Sequence, residues 1–254
     1  MEGDFFMAKL AKSTTFNRRK LIFNISTTAI LSALGAVLMI IGHYLPYPIA
    51  PFLKLEPSDT VVIVAYAICG FTSAFCTAII KTLLDFLING PTGAYAIGQI
   101  IALTTSMCYV LGIYLCSSVF KFFKKGLPYR ILSYVITIAI VSTVMTLLNY
   151  LIFTPIFLTG RFTTFLDPQF QGIFENGAIP FKGPFIVVII CLYLPFNLLK
   201  GLIVCAFYEL VFNRLIFKYF KQSNFYERIQ KPVVVNDDTQ NDTDNQNNNT
   251  NLEN

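Results

Sequence analysis

Five long apolar stretches, residues 21–45, 58–88, 93–120, 129–154 and 183–217, decide what this chain can fold into. A bilayer core of about 30 Å takes roughly 20 apolar residues in helical form, because lipid offers no partner to an unpaired peptide group. Two of the stretches exceed a single crossing. At about 1.5 Å per residue, 58–88 would run about 46 Å and 183–217 about 52 Å as straight helices. The first is expected to form two short helices that turn near Gly70, Phe71, Thr72 and Ser73. The second is expected to bend at Pro195, whose ring removes a helical hydrogen bond. Only 13% of the 254 residues are charged, about half the roughly 25% usual in soluble domains, as a membrane protein requires.

The basic residues choose between topologies, since Lys and Arg collect on the cytoplasmic side. Fourteen of the 19 fall into three clusters. Lys9, Lys12, Arg18, Arg19 and Lys20 precede the first span; Lys121, Lys124, Lys125 and Arg130 surround the loop after 93–120; Arg214, Lys218, Lys221, Arg228 and Lys231 follow the last. A single crossing by 58–88 would set the middle cluster opposite the first, whereas two crossings place all three on one side. The expected fold is an all-α integral membrane protein, a six-helix transmembrane bundle with both termini cytoplasmic, in the cell membrane. Residues 1–20 form a basic cytoplasmic segment, 21–217 the membrane substrate-binding domain and 218–254 a cytoplasmic tail. The tail is expected to be disordered from about residue 236, where Asn, Asp, Gln and Thr leave almost nothing apolar. The first apolar run is long and lacks a small-x-small cleavage site, so it is expected to remain as a span.

Catalytic patterns are missing. There is no Ser/His/Asp or Cys/His set, no His-Glu-x-x-His and no Gly-x-Ser-x-Gly. The six cysteines lie in apolar segments without Cys-x-x-Cys spacing and read as packing residues. His43 is the one histidine and cannot build a zinc site alone. No catalytic residue, metal or cofactor is expected, nothing points to nucleic acid, and no phosphate-cradling loop is present. Any ATP-driven step would therefore need a partner.

"LPFNLLKG" (194–201) interrupts an apolar run with an amide and an ammonium. Asn197 and Lys200, three apart, share one helix face, and an ammonium inside a membrane is by default a site residue. In the six-helix topology other polar residues gather on the same outer side. They are Lys54, Glu56 and Asp59 in the loop 47–59; Tyr95 and Gln99 in the Gly-rich loop 86–99; and Asn149 near the end of the fifth helix. Lys81 and Asp85, four apart, are expected to pair with each other. Amide and ammonium groups among Phe, Tyr and Leu suit a flat, mostly apolar solute with a polar edge, whereas an inorganic ion would need carboxylates or carbonyls. In the first span, "TTAILSALGAVLM" sets Ala29, Ala33 and Ala36, with Ser32 and Gly35, in small-xxx-small spacing. Such a face admits another membrane helix, from a partner or from this bundle.

Four segments, "APFLKLEPSD", "KTLLDFLINGPTGAYAIGQ", "LLNYLIFTP" and "LPFNLLKG", are together similar to the riboflavin-specific S component of energy-coupling factor (ECF) transporters. The similarity covers roughly residues 21–217. It implies a six-helix subunit that binds riboflavin, as transported substrate, from outside. It also implies assembly with two cytoplasmic ATPases and with a transmembrane coupling subunit, which the Ala29 and Ala33 face of the first helix would meet. By position, Asn149, Asn197 and Lys200 would hydrogen-bond the polar edge of the flavin ring. Phe52, Leu53, Tyr95 and Gly98 would flank ring and ribityl chain, with Asp59 also at the site. This chain departs from the family's usual pattern at Glu56-Pro57 and at Phe157. The residues alone leave open another vitamin, such as folate, thiamine or pantothenate, or a stand-alone carrier.

Overall fold

The computed structural model describes residues 2–119, 127–162, 166 and 184–210, and side chains from residue 18 onward. The basic loop 121–126, Lys182 and the tail, with its expected disorder, lie outside the described residues. The compact unit that contains the site is Asn24–Lys218.

Seven α-helices follow one another among the described residues: α1 (Glu2–Gly42), α2 (Asp59–Cys69), α3 (Phe71–Asn89), α4 (Ile97–Tyr114), α5 (Leu127–Leu148), α6 (Thr154–Thr159) and α7 (Phe185–Phe207). A π-helical turn, Asn149–Phe153, joins α5 to α6 without a break in the rod. The segments Arg18–Gly42, Phe71–Asn89, Ala94–Ser117, Pro128–Thr159 and Phe185–Leu210 are each long and apolar enough to cross a membrane. α2 has 11 residues and reaches about 16 Å, roughly half a bilayer core. The bundle is therefore five full-length apolar segments plus one short one among the described residues. α1 exposes Leu21, Ile22, Ile25, Ile30 and Leu34, a surface suited to lipid.

The long run 58–88 does divide, and one residue divides it. Gly70 takes φ +91° and ψ −174°, a region that side chains make costly. A Cβ there would meet nothing within 4 Å, so the requirement is conformational rather than steric. The Gly70 N–H donates to Tyr66 O at 2.9 Å and closes α2, after which α3 packs back along it. Ala65, Ala74 and Ala78 are buried together in that contact with Val62 and Val110, where small side chains let the backbones approach.

α7 continues through Pro195 as one helix. Its fit against the bundle depends on Gly201, where a Cβ would lie 3.0 Å from Ile138 of α5 and 3.3 Å from the Tyr109 hydroxyl of α4. The segment expected as a plain loop after the first span forms a small antiparallel hairpin instead. In it β1 (Pro46–Tyr47) pairs with β2 (Ala50–Lys54), and Tyr47 lies opposite Ala50. Prolines are tolerated there because a two-stranded ribbon needs few ladder bonds. Tyr47 and Ala50 bury against Ile189, Leu192, Tyr193 and Phe196, which fixes the hairpin beside α7.

Replacing Gly70 by Ala should lower stability by about 1–3 kcal/mol, because a Cβ strains this backbone conformation. Thermal unfolding of the purified protein in detergent reads it directly. An unchanged midpoint would mean that the turn relaxes without needing glycine.

Candidate functional site

A cavity opens where α1, β2, α4, the π turn and α7 converge, with about 840 Å³ of space counting its mouth. One wall is apolar, with Met39, Phe52, Ile101, Met145 and Phe157 among its residues. The rings of Phe52 and Phe157 face one another at 6.3 Å between centroids, tilted by 30°.

Few polar groups join these apolar residues, and each is placed by its element. Asn149 opens the π turn, an irregularity that often marks a functional position. Its Nδ2 donates to Met145 O at 2.7 Å, which leaves the amide oxygen as an acceptor. Asn197 is 5% exposed, and its Nδ2 has no hydrogen-bond partner among the described residues. An unmet buried donor costs about 1–3 kcal/mol, so this one is suited to a ligand acceptor. Lys200 lies one helical turn further along α7 and also lines the cavity. Thr154 donates to the Tyr193 hydroxyl at 2.9 Å, so this pair of cavity hydroxyls is locked together. Glu56, half-buried, presents a carboxylate to the cavity. Burial raises its pKa, against the pull of Lys200, Lys81 and His43.

Behind Lys200 lies a buried ion cluster. Asp59 Oδ2 faces Lys200 Nζ at 3.0 Å, and Asp59 Oδ1 accepts from Lys81 Nζ at 2.8 Å and from Ser106 Oγ at 2.6 Å. Lys81 Nζ also donates to Ser58 Oγ at 2.9 Å. Nearer the loops runs a second polar chain. Lys54 has donors alone, so its contact with His43 Nδ1 places the ring proton on Nε2, which donates to Asp85 Oδ1 at 2.9 Å. Asn89 Nδ2 reaches the same oxygen at 2.7 Å, and Gln99 Nε2 reaches Asp85 Oδ2 at 3.2 Å and Gly90 O at 3.0 Å. His43, Lys54 and Asp85 all line the cavity.

Phe52, Leu53, Gly98, Asn149, Asn197 and Lys200, all expected from the sequence, thus come together at this cavity. Two other expected site residues do not line it. Asp59 is the first residue of α2, fully buried in the ion cluster behind the wall, rather than a charge on an outer loop. Tyr95 is 58% exposed, held at φ +54° in the short turn before α4, and stacks on Phe162 with 4.6 Å between centroids. The backbone turn before α4 aims it away. Lys81 and Asp85 do not pair with each other; Lys81 takes Asp59 and Asp85 takes His43. Sequence reading missed the Thr154–Tyr193 pair, although a tyrosine hydroxyl in the middle of a membrane helix signals a buried partner. On α1, Ala29 and Ala33 lie on the exposed face, while Ser32, Gly35 and Ala36 turn inward.

Residues 23–212 match the model of the family described as "ECF transporter, substrate-specific component". The chain belongs to this family. It is 26% identical to the riboflavin transporter FmnP of Bacillus subtilis, over 74% of this chain and 88% of that protein. It is 29% identical to the riboflavin transporter RibU of Streptococcus thermophilus, over 84% of this chain and 91% of that one. RibU of Staphylococcus aureus is 26% identical over 80% and 92% of the two chains. Among solved structures, the S component of a bacterial ECF transporter superposes with a TM-score of 0.57 at 21% identity, over 79% of this chain and 99% of that one. The likeness shows a shared fold. This S component is a multi-pass protein of the cell membrane.

Replacing Asp85 by Ala would remove the buried carboxylate on which donors of His43, Gln99 and Asn89 converge. A loss of about 3 kcal/mol is expected, as when one partner of a buried pair is removed. Chemical denaturation in detergent measures it, and a loss below about 1 kcal/mol would show that water replaces the carboxylate there.

Proposed function

We propose that this S component captures riboflavin in the cavity between the hairpin, α4 and α7 and releases it through a partner coupling subunit driven by two ATPases. The unmet Asn197 donor, set beside the Lys200 ammonium and the Asn149 acceptor, carries the reading. The pyrimidine edge of a flavin offers two carbonyl acceptors that flank an N–H donor. Lys200 and Asn197 suit the carbonyls, and the Asn149 amide oxygen suits the N–H. The Phe52 and Phe157 rings provide flat apolar surface for the fused ring system. Lys54, Glu56 and the Thr154–Tyr193 pair offer polar groups to a polyhydroxyl chain. The relatives named as riboflavin transporters support the same substrate.

The role is binding and delivery, without bond chemistry. Polar groups converge on the cavity, and among the described residues no nucleophile is paired with a base there. Ala29 and Ala33, small and outward-facing on α1, suit close approach by a helix of the coupling subunit.

The test is titration of riboflavin, followed by the flavin's own fluorescence, with protein purified in detergent; the chain has no Trp to interfere. Saturable one-to-one quenching is expected, and its absence with folded protein would overturn the substrate assignment. Asn197→Ala should weaken binding by about 1–3 kcal/mol, roughly 5- to 150-fold, with the protein still folded. Ala33→Phe should leave that titration unchanged yet abolish riboflavin uptake in cells that carry the coupling subunit and ATPases. Normal uptake by this variant would remove α1 from the docking surface.

A further inference from the structure

Lys200 is the one member of the buried ion cluster that lines the cavity; Asp59, Lys81, Ser58 and Ser106 do not. Its carboxylate partner therefore sits where no cavity ligand touches it. That carboxylate is held from several elements at once. Lys81 on α3 and Ser106 on α4 both bond Asp59 Oδ1, at 2.8 and 2.6 Å, and Lys81 is tied in turn to Ser58 at 2.9 Å. Oδ2 is left for Lys200, 3.0 Å away. Among the described residues Lys200 has no other hydrogen-bond or ion-pair partner, so its remaining N–H donors are unspent.

A lysine carries its charge on a long stem of rotatable bonds, and a ligand that had to order such a stem would bind more weakly. A carboxylate that is itself immobile removes that cost before the ligand arrives. Charge balance fits as well. Lys81 and Lys200 share the Asp59 carboxylate, and Glu56 presents a second carboxyl group to the cavity. We propose that Asp59 is the positioning residue of the site: held by Lys81 and Ser106, it fixes the Lys200 ammonium at the cavity wall with its free donors available to the ligand. The inference rests on the reading of this cavity as the riboflavin site and adds a residue that does not touch the vitamin.

Affinity for riboflavin and thermal stability are compared in the wild type, Asp59→Asn, Lys200→Ala and the double variant. Asp59→Asn should weaken riboflavin about tenfold or more, the loss expected from one misplaced bond to a charged group. In the Lys200→Ala background the same change should alter affinity by no more than about twofold, because Asp59 acts through Lys200. Asp59→Asn alone leaves two ammoniums facing each other in a dry interior, so it should also unfold at a lower temperature. Adding Lys81→Met removes one of them. Stability should return while affinity does not, a split that a purely structural role would not produce. If Asp59→Asn does not fold, the comparison with and without Lys200→Ala is made in the Lys81→Met background. Equal losses with and without Lys200, or affinity that returns together with stability, would overturn the positioning role and leave the riboflavin reading intact. Absence of riboflavin binding by folded wild type would overturn both.

Discussion

Two ammonium groups and the carboxylate they share lie wholly inside an apolar bundle, and the rest of the structure is arranged to make that tolerable. An isolated charge in a low-dielectric interior costs several kcal/mol even after relaxation, and close geometry with full hydrogen bonding offsets it. Asp59 approaches that condition: Oδ1 accepts from Lys81 at 2.8 Å and from Ser106 at 2.6 Å, and Oδ2 lies 3.0 Å from Lys200 as an ion pair without a hydrogen bond. The contacts recruit α2, α3, α4 and α7. They fit where α2 starts: it begins at Asp59, whose carboxylate occupies the first turn, where the helix dipole favours negative charge. They explain why the chain must turn back at Gly70, since Lys81 reaches Asp59 once α3 packs along α2.

The same arrangement produces the site. At the cavity, α7 presents Asn197 with an unmet donor and Lys200 with donors to spare. Gly201 lets α7 approach α5 closely, Asn197 and Lys200 follow one another by a turn along the cavity, and the π turn at Asn149 brings an amide to the same cavity. Around the mouth, the chain from Lys54 through His43 and Asp85 to Gln99 ties the hairpin, α1, α3 and α4 together. Apolar and aromatic lining with a few convergent polar groups is what a flat, neutral, edge-polar solute requires.

Much of this was legible from local features. Asn197 and Lys200 stood out because amides and ammoniums are expensive in lipid. The division of 58–88 followed from its length and from the side on which Lys121–Arg130 would otherwise fall. Pairing was the part that sequence spacing misjudged. Lys81 and Asp85 sit one turn apart on α3 and are both buried, but α2 supplies the carboxylate to one and the turn after α1 the imidazole to the other. Which helix covers a face is a tertiary fact that i,i+4 spacing cannot encode. Asp59 looked like an outer-loop charge for the same reason, since its partners are 22 or more positions away in sequence. Tyr95 was misjudged locally: its left-handed backbone conformation sends the ring outward onto Phe162. The hairpin at 46–54 was hidden behind prolines that usually argue against strands.

The central claim is that Asn149, Asn197 and Lys200 together read the polar edge of the bound vitamin. The most direct measurement is a structure of this protein solved with riboflavin bound. The account predicts the ring's pyrimidine edge within hydrogen-bond distance of those three side chains, with Lys200 still paired to Asp59. A flavin seated elsewhere, or bound here with that edge turned away from α7, would contradict it.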